Sequence, residues 1–163
     1  MTRDPSGWEL GIRHITLSLP FISQYGPVLS NVSFPSQLRL QFVHADHVVI
    51  SASQLKEEGF ESIGRSEHCA LQGVWKRGRV LTYQGHAEFD GFVNGETLKV
   101  FGKPIWSAER LGEELKSVNG DDDAVWAAGV MLKFFLESEL GEIEELDDGE
   151  VKVVHEEEVM ARL

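Results

Sequence analysis

Thr82-Tyr83-Gln84-Gly85-His86-Ala87-Glu88-Phe89-Asp90 is the stretch on which the reading of this chain turns. Val80, Leu81 and Tyr83 lead into it and read as a buried strand. Gly85 then permits a tight turn. His86 and Glu88 follow with one residue between them, and Phe89 opens a new apolar pattern. A strand that runs into Gly-His-x-Glu sets an imidazole and a carboxylate at the carboxyl edge of a sheet, where α/β folds build their sites. A carboxylate that fixes one ring nitrogen of a histidine leaves the other as a base. A plain surface turn can carry the same residues, so the surrounding chain has to decide.

Composition narrows the classes. A length of 163 residues suits one domain, and 42% hydrophobic residues suffice for a core. The formal net charge of -12 argues against nucleic acid and against anionic membrane as partners. No apolar run is long enough to cross a bilayer, and the first residues do not read as a signal peptide. The expectation is a soluble, cytoplasmic protein. Cys69 is the single cysteine, which excludes an internal disulfide and paired-cysteine zinc sites.

Upstream of the central stretch, Ile12, Ile15, Leu17 and Leu19 partly alternate with polar residues and predict a strand, ended by Pro20 and by Tyr25-Gly26-Pro27. Leu38 to Val43 alternates and predicts a second strand. It leads to His44 and His47, whose His-x-x-His spacing could suit a metal, but no motif places a third ligand. No metal and no cofactor are expected. His44 and Asp46 read as a structural hydrogen-bonded pair. Residues 54–58 are helical or loop-like, and 59–64 form a short strand. Lys76-Arg77-Gly78-Arg79 is a basic hairpin turn, more a solvated loop than a phosphate site.

Downstream, a helix is predicted from about Asp90 to Val100, weakened by Gly95 and broken at Gly102-Lys103-Pro104. Ser107 can cap a second helix that stops at Asn119-Gly120. Asp121-Asp122-Asp123 opens a third, with acidic residues at the positive end of its dipole. Along it Val125, Ala128, Gly129, Leu132, Phe135 and Leu136 recur at helical spacing, widened by Trp126, Val130 and Phe134, and the whole stripe reads as core. From Glu137 onward the chain turns acidic and reads as a solvated tail, at most weakly helical.

These motifs, in this order, resemble the class I glutamine amidotransferase family over roughly residues 7 to 137. Gln84-Gly85-His86-Ala87-Glu88-Phe89 is similar to the family's His-Pro-Glu motif, with Ala87 in the place of the usual Pro. Gly7-Trp8-Glu9-Leu10-Gly11 resembles the segment that follows the nucleophile helix. The His-x-Asp-x-Val pattern at His44, and Ser66 to Trp75, resemble the stretches before the final strands, the latter as a strand. The resemblance implies a partial flavodoxin-like fold, a mixed sheet with flanking helices. It implies residues 1–137 as the C-terminal half of an amidotransferase domain and 138–163 as an acidic tail. It implies His86 as general base and Glu88 as the group that orients it.

The family's first half carries a Gly-x-Cys-x-Gly-x-Gln nucleophile elbow and a glycine-rich oxyanion loop, and the expectation is that this chain starts after both. Cys69 has no glycine beside it, and His68, its neighbour on a strand, points the other way, so Cys69 reads as a bystander. Such a half should expose a sheet edge and apolar surface, to be covered by a protein partner or a homodimer. Two function classes result. One is a glutaminase-type hydrolase acting on glutamine or a γ-glutamyl substrate, inactive as this chain alone. The other is a non-catalytic pseudo-enzyme or split-domain partner. A γ-glutamyl peptidase-like hydrolase is a variant of the first.

Overall fold

The computed structural model describes residues 2–3, 7–26, 37–140, 142–145 and 151–154, with side-chain environments for 7–26 and 37–137. The elements in order are β1 (Thr2–Arg3), β2 (Glu9–Leu17), α1 (Leu19–Tyr25), β3 (Gln37–His44), β4 (Asp46–His47) and α2 (Ala52–Glu57). Four short strands follow: β5 (Glu61–Ser62), β6 (Gly64–Arg65), β7 (Val74–Lys76) and β8 (Val80–Leu81). Then come α3 (Gly91–Gly102), α4 (Ala108–Ser117), α5 (Ala124–Leu140), β9 (Glu142–Glu145) and β10 (Val151–Val154).

The architecture is α/β with flanking helices. Its spine is the antiparallel pair of β2 and β3, in register from Glu9 opposite His44 to Thr16 opposite Gln37. On the other side of β2, β6 pairs only at Thr16 and Leu17. β7 lies between β5 and β8, and the basic Lys76–Arg79 turn joins β7 to β8 as the sequence predicts. Every ladder among the described residues is antiparallel.

Alternation sorts the spine. Leu38, Leu40 and Phe42 of β3 and Ile15 and Leu17 of β2 bury fully or nearly so. They meet Phe21 and Tyr25 of α1, Trp75 of β7, and Trp126, Val130 and Phe134 of α5. Each such burial is worth about 1.5–3 kcal/mol. A second cluster, Leu10, Leu98 and Val118, sits under α3 and α4, where Trp8 meets Trp106 edge to face at 5.4 Å.

The helix starts follow their caps. Ser18, Asp90 and Ser107 each accept a backbone N–H from three residues on. Pro20 does not simply end β2. It sits in the first turn of α1, where a missing N–H costs nothing. Asp123 does more than favour a helix dipole. Its carboxylate takes a fork from Arg39, at 3.1 Å from Nε and 2.8 Å from Nη2, and also accepts the Arg39 N–H. That fork pins the start of α5 to β3.

Several expectations fail here. Within Ser66 to Trp75 only the last two residues enter a strand, β7, and the rest is irregular, held by scattered backbone bonds and by the Ser66 hydroxyl rather than a ladder. The core face of α5 is narrower than its apolar stripe. Trp126, Ala127, Val130 and Phe134 are buried, while Val125, Leu132, Phe135 and Leu136 are 60% or more exposed. The helix is apolar on two sides, and periodicity alone chooses neither. Within the acidic tail, β9 and β10 pair antiparallel, with Ile143 opposite Val153, where at most weak helix is expected. Pro27, Asp147, Asp148 and residues 156–158 lie outside the described residues.

Candidate active site

His86 is placed by backbone, not by a long strand. β8 stops at Leu81, and the chain then descends as a loop. The Gln84 N–H donates to the Gln72 carbonyl at 2.9 Å, and the His86 N–H to the Gln41 carbonyl at 2.8 Å. The latter makes an isolated antiparallel bridge to β3. So the expected strand into Gly-His-x-Glu is a single bridge at its far end. Gly85 is needed for a reason other than a left-handed turn. It is buried, and a Cβ there would lie 2.8 Å from Phe42 Cζ and 2.9 Å from Leu40 Cβ. The loop therefore rests directly on the core.

The predicted pair forms. His86 Nδ1 lies 2.7 Å from Glu88 Oε1. A carboxylate only accepts, so Nδ1 donates to it and Nε2 is the ring nitrogen left over for proton exchange. The ring stacks on Phe89, with centroids 4.0 Å apart and planes at 12°. The His86 side chain is 31% exposed and that of Glu88 66%. Burial acts to raise the Glu88 carboxyl. The hydrogen bonds from His86 and from its own backbone, with the imidazole's charge, outweigh it and hold the group below the ordinary value. Glu88 stays ionised, and His86 stays oriented.

A second polar cluster lies behind this loop, and sequence reading missed it. Glu9 is buried, with its side chain 1% exposed. Its Oε2 accepts Gln72 Nε2 at 2.7 Å and lies 3.2 Å from His44 Nε2. Gln72 Nε2 also reaches Ser66 Oγ at 2.8 Å. Burial again acts to raise the carboxyl, but bonds from His44, Ser66 and Gln72 bring Glu9 below its ordinary value. The expected His44–Asp46 pair exists in altered form: His44 Nδ1 meets the Asp46 backbone carbonyl at 3.0 Å, not its carboxylate. One signal was available. Glu9 shares the parity of Ile15 and Leu17, the buried face of β2, and a carboxylate there needs a partner.

Cys69 is buried, and its thiol donates to the Leu71 carbonyl at 3.3 Å. It lines a mostly apolar cavity of about 330 Å³ with His47, Val49, Ile50 and Leu55. An open cavity of about 760 Å³, of mixed polar and apolar lining, includes Glu9, Arg13, His14 and Thr16 of β2. There, from Leu10 to Ile15, the side of β2 away from β3 carries no ladder among the described residues. No helix among the described residues is long and apolar enough to cross a membrane.

No family model matches the chain. A glutamine amidotransferase-like protein of Schizosaccharomyces pombe is 29% identical over 83% of this chain and 50% of its own length. A protein of Saccharomyces cerevisiae named as a glutamine amidotransferase is 29% identical over 83% of this chain and 49% of its own. Two solved glutamine amidotransferases share the fold. That of Methylobacillus flagellatus has a TM-score of 0.55 at 19% identity, over 84% of this chain and 55% of that one. That of Thermotoga maritima has a TM-score of 0.51 at 17% identity, over 82% and 54%. The chain is thus similar in sequence to glutamine amidotransferase-like proteins and in fold to solved glutamine amidotransferases. This amidotransferase-like chain spans about half the length of the curated relatives it matches.

Proposed function

We propose that the chain carries the acid–base half of a thiol-dependent amide hydrolase that acts on the side-chain amide of glutamine or a γ-glutamyl compound. The observation that carries this reading is the 2.7 Å contact between His86 Nδ1 and Glu88, which engages Nδ1 and leaves Nε2 for proton transfer at a partly exposed position. In the reaction, Nε2 takes the proton of a thiol as its sulfur bonds to the amide carbon. The same proton goes to the departing ammonia. Water then adds to the thioester, His86 again takes and returns a proton, and glutamate and the free thiol are released.

Cys69 is a poor source of that thiol. A nucleophile needs an exposed sulfur on a strained turn, and this one is buried and donates to a carbonyl. We place the nucleophile on a second polypeptide segment, seated where β2 has no ladder, and the working compartment in the cytoplasm.

The test is glutamate release from glutamine. The purified chain alone is expected to give none. Mixed with the nucleophile-bearing portion of a relative, it is expected to turn over, and His86→Ala to remove that turnover. Activity of the chain alone that disappears in Cys69→Ser would overturn the assignment of the sulfur. Complemented activity that survives His86→Ala would overturn the assignment of the base.

A further inference from the structure

Glu9 and the base-bearing loop belong to one ring of polar contacts. Start at Glu9 Oε2, which accepts Gln72 Nε2 at 2.7 Å. The Gln72 backbone carbonyl accepts the Gln84 N–H at 2.9 Å. Gln84 Nε2 donates to the Asp46 carbonyl at 3.4 Å. That carbonyl also takes His44 Nδ1 at 3.0 Å. His44 Nε2 lies 3.2 Å from Glu9 Oε2, an ion-pair distance without hydrogen-bond geometry, and brings the path back to Glu9. A carbonyl can only accept, so His44 donates from Nδ1.

We propose that Glu9 is a positioning residue for His86, acting through this ring. It deepens the reading of His86 as a base and rests on it only for the purpose the positioning serves. The loop is held at three successive points. Gln84 is held by the ring, Gly85 by its close seat on Phe42 and Leu40, and His86 by the Gln41 carbonyl. Gln41 is itself fixed: Asn94 Nδ2 donates to its Oε1 at 2.8 Å and its Nε2 donates to the Val118 carbonyl at 3.1 Å. Of the three, the hold on Gln84 is the one that leads to a charge, through Gln72 to Glu9. Hydrogen bonds to an ionised acceptor in a buried site are short and about twice as strong as neutral ones. Replacing the charge loosens Gln84, and with it the path that brings the His86 ring within reach of Glu88.

The experiment is NMR on the full chain, reading the His86 ring nitrogens and the amide exchange of Gln84 and His86. In the natural sequence His86 is expected as the Nδ1–H tautomer. Glu9→Gln keeps the shape of the side chain but turns a donor toward His44 and Gln72. It is expected to shift His86 toward the Nε2–H tautomer and to speed exchange at Gln84 by about tenfold, with α5 amides unchanged. Gln84→Met opens the ring at its other side without touching the buried carboxylate, and is expected to shift the tautomer likewise. A merely structural Glu9 would lower the unfolding midpoint and leave the tautomer alone. An unchanged tautomer in both variants overturns the proposal. A change in Glu9→Gln but none in Gln84→Met overturns the route through Gln84 and the proposal with it. If Glu9→Gln does not fold, Gln84→Met decides by itself. None of these readouts involves turnover, so they stand or fall separately from the hydrolase reading.

Discussion

Among the described residues are two histidine–glutamate pairs built for opposite ends. His86 and Glu88 are two residues apart on a loop, partly in water, with one ring nitrogen engaged and the other open. His44 and Glu9 face each other across β2 and β3, largely out of water, with Nδ1 bonded to a carbonyl and Nε2 3.2 Å from the buried carboxylate. The chemistry of the side chains is the same. Burial and the number of acceptors decide which imidazole can exchange a proton and which can only hold its neighbours. An exposed pair is cheap to keep and cheap to lose. A buried pair is costly to form and costlier to break.

The largest expected effect tests the buried side of that contrast. Glu9→Ala leaves His44 and Gln72 without their acceptor and should destabilise the chain by about 3–5 kcal/mol in urea unfolding. A loss as small as that of a surface pair would break the contrast. Gly85→Ala probes the seat of the exposed pair. The methyl has no room beside Phe42 and Leu40, and should cost about 1–3 kcal/mol while leaving His86 and Glu88 chemically intact.

Acid sharpens the contrast by sign. The Glu9 carboxyl is depressed in the folded state, so its contribution is present above the ordinary value of 4.5 and lost as pH falls through the folded one. Urea midpoints should therefore drop less between neutral and acid pH in Glu9→Gln than in the natural sequence. Glu88 is depressed in the same direction but is mostly exposed, so the same comparison for Glu88→Gln should show little. The smallest expected effect is Glu88→Ala, at about 0–1 kcal/mol in urea. If Glu88→Ala costs as much as Glu9→Ala, the two pairs are not different in kind.

How much of this was legible depends on which atoms carry the information. Local chemistry read well. Ser107 caps the helix it precedes, the helix expected from about Asp90 starts there with Asp90 as its cap, and His86 finds Glu88, because a spacing of two or three residues is settled within the backbone's own reach. Partnerships across the fold did not read. Gln72 reaches Glu9 over a separation of 63 residues and Asp123 reaches Arg39 over 84, and no local pattern encodes either. α5 failed for a third reason. Val125 and Trp126 are both apolar, and only docking against Phe21 showed which faces inward. Gly85 was marked correctly for the wrong cause, since a sequence shows that a side chain is missing but not what fills the space.

The outward face of α5 has a bearing on handling. Val125, Leu132 and Leu136 form a stripe open to water on a molecule whose formal net charge is -12. At low ionic strength, like charges keep copies apart. At 1 M salt the screening length is only about 3 Å, and the stripe then governs their encounters. Mass measured by light scattering should therefore rise with added sodium chloride and fall on dilution. Leu132→Glu should flatten that response.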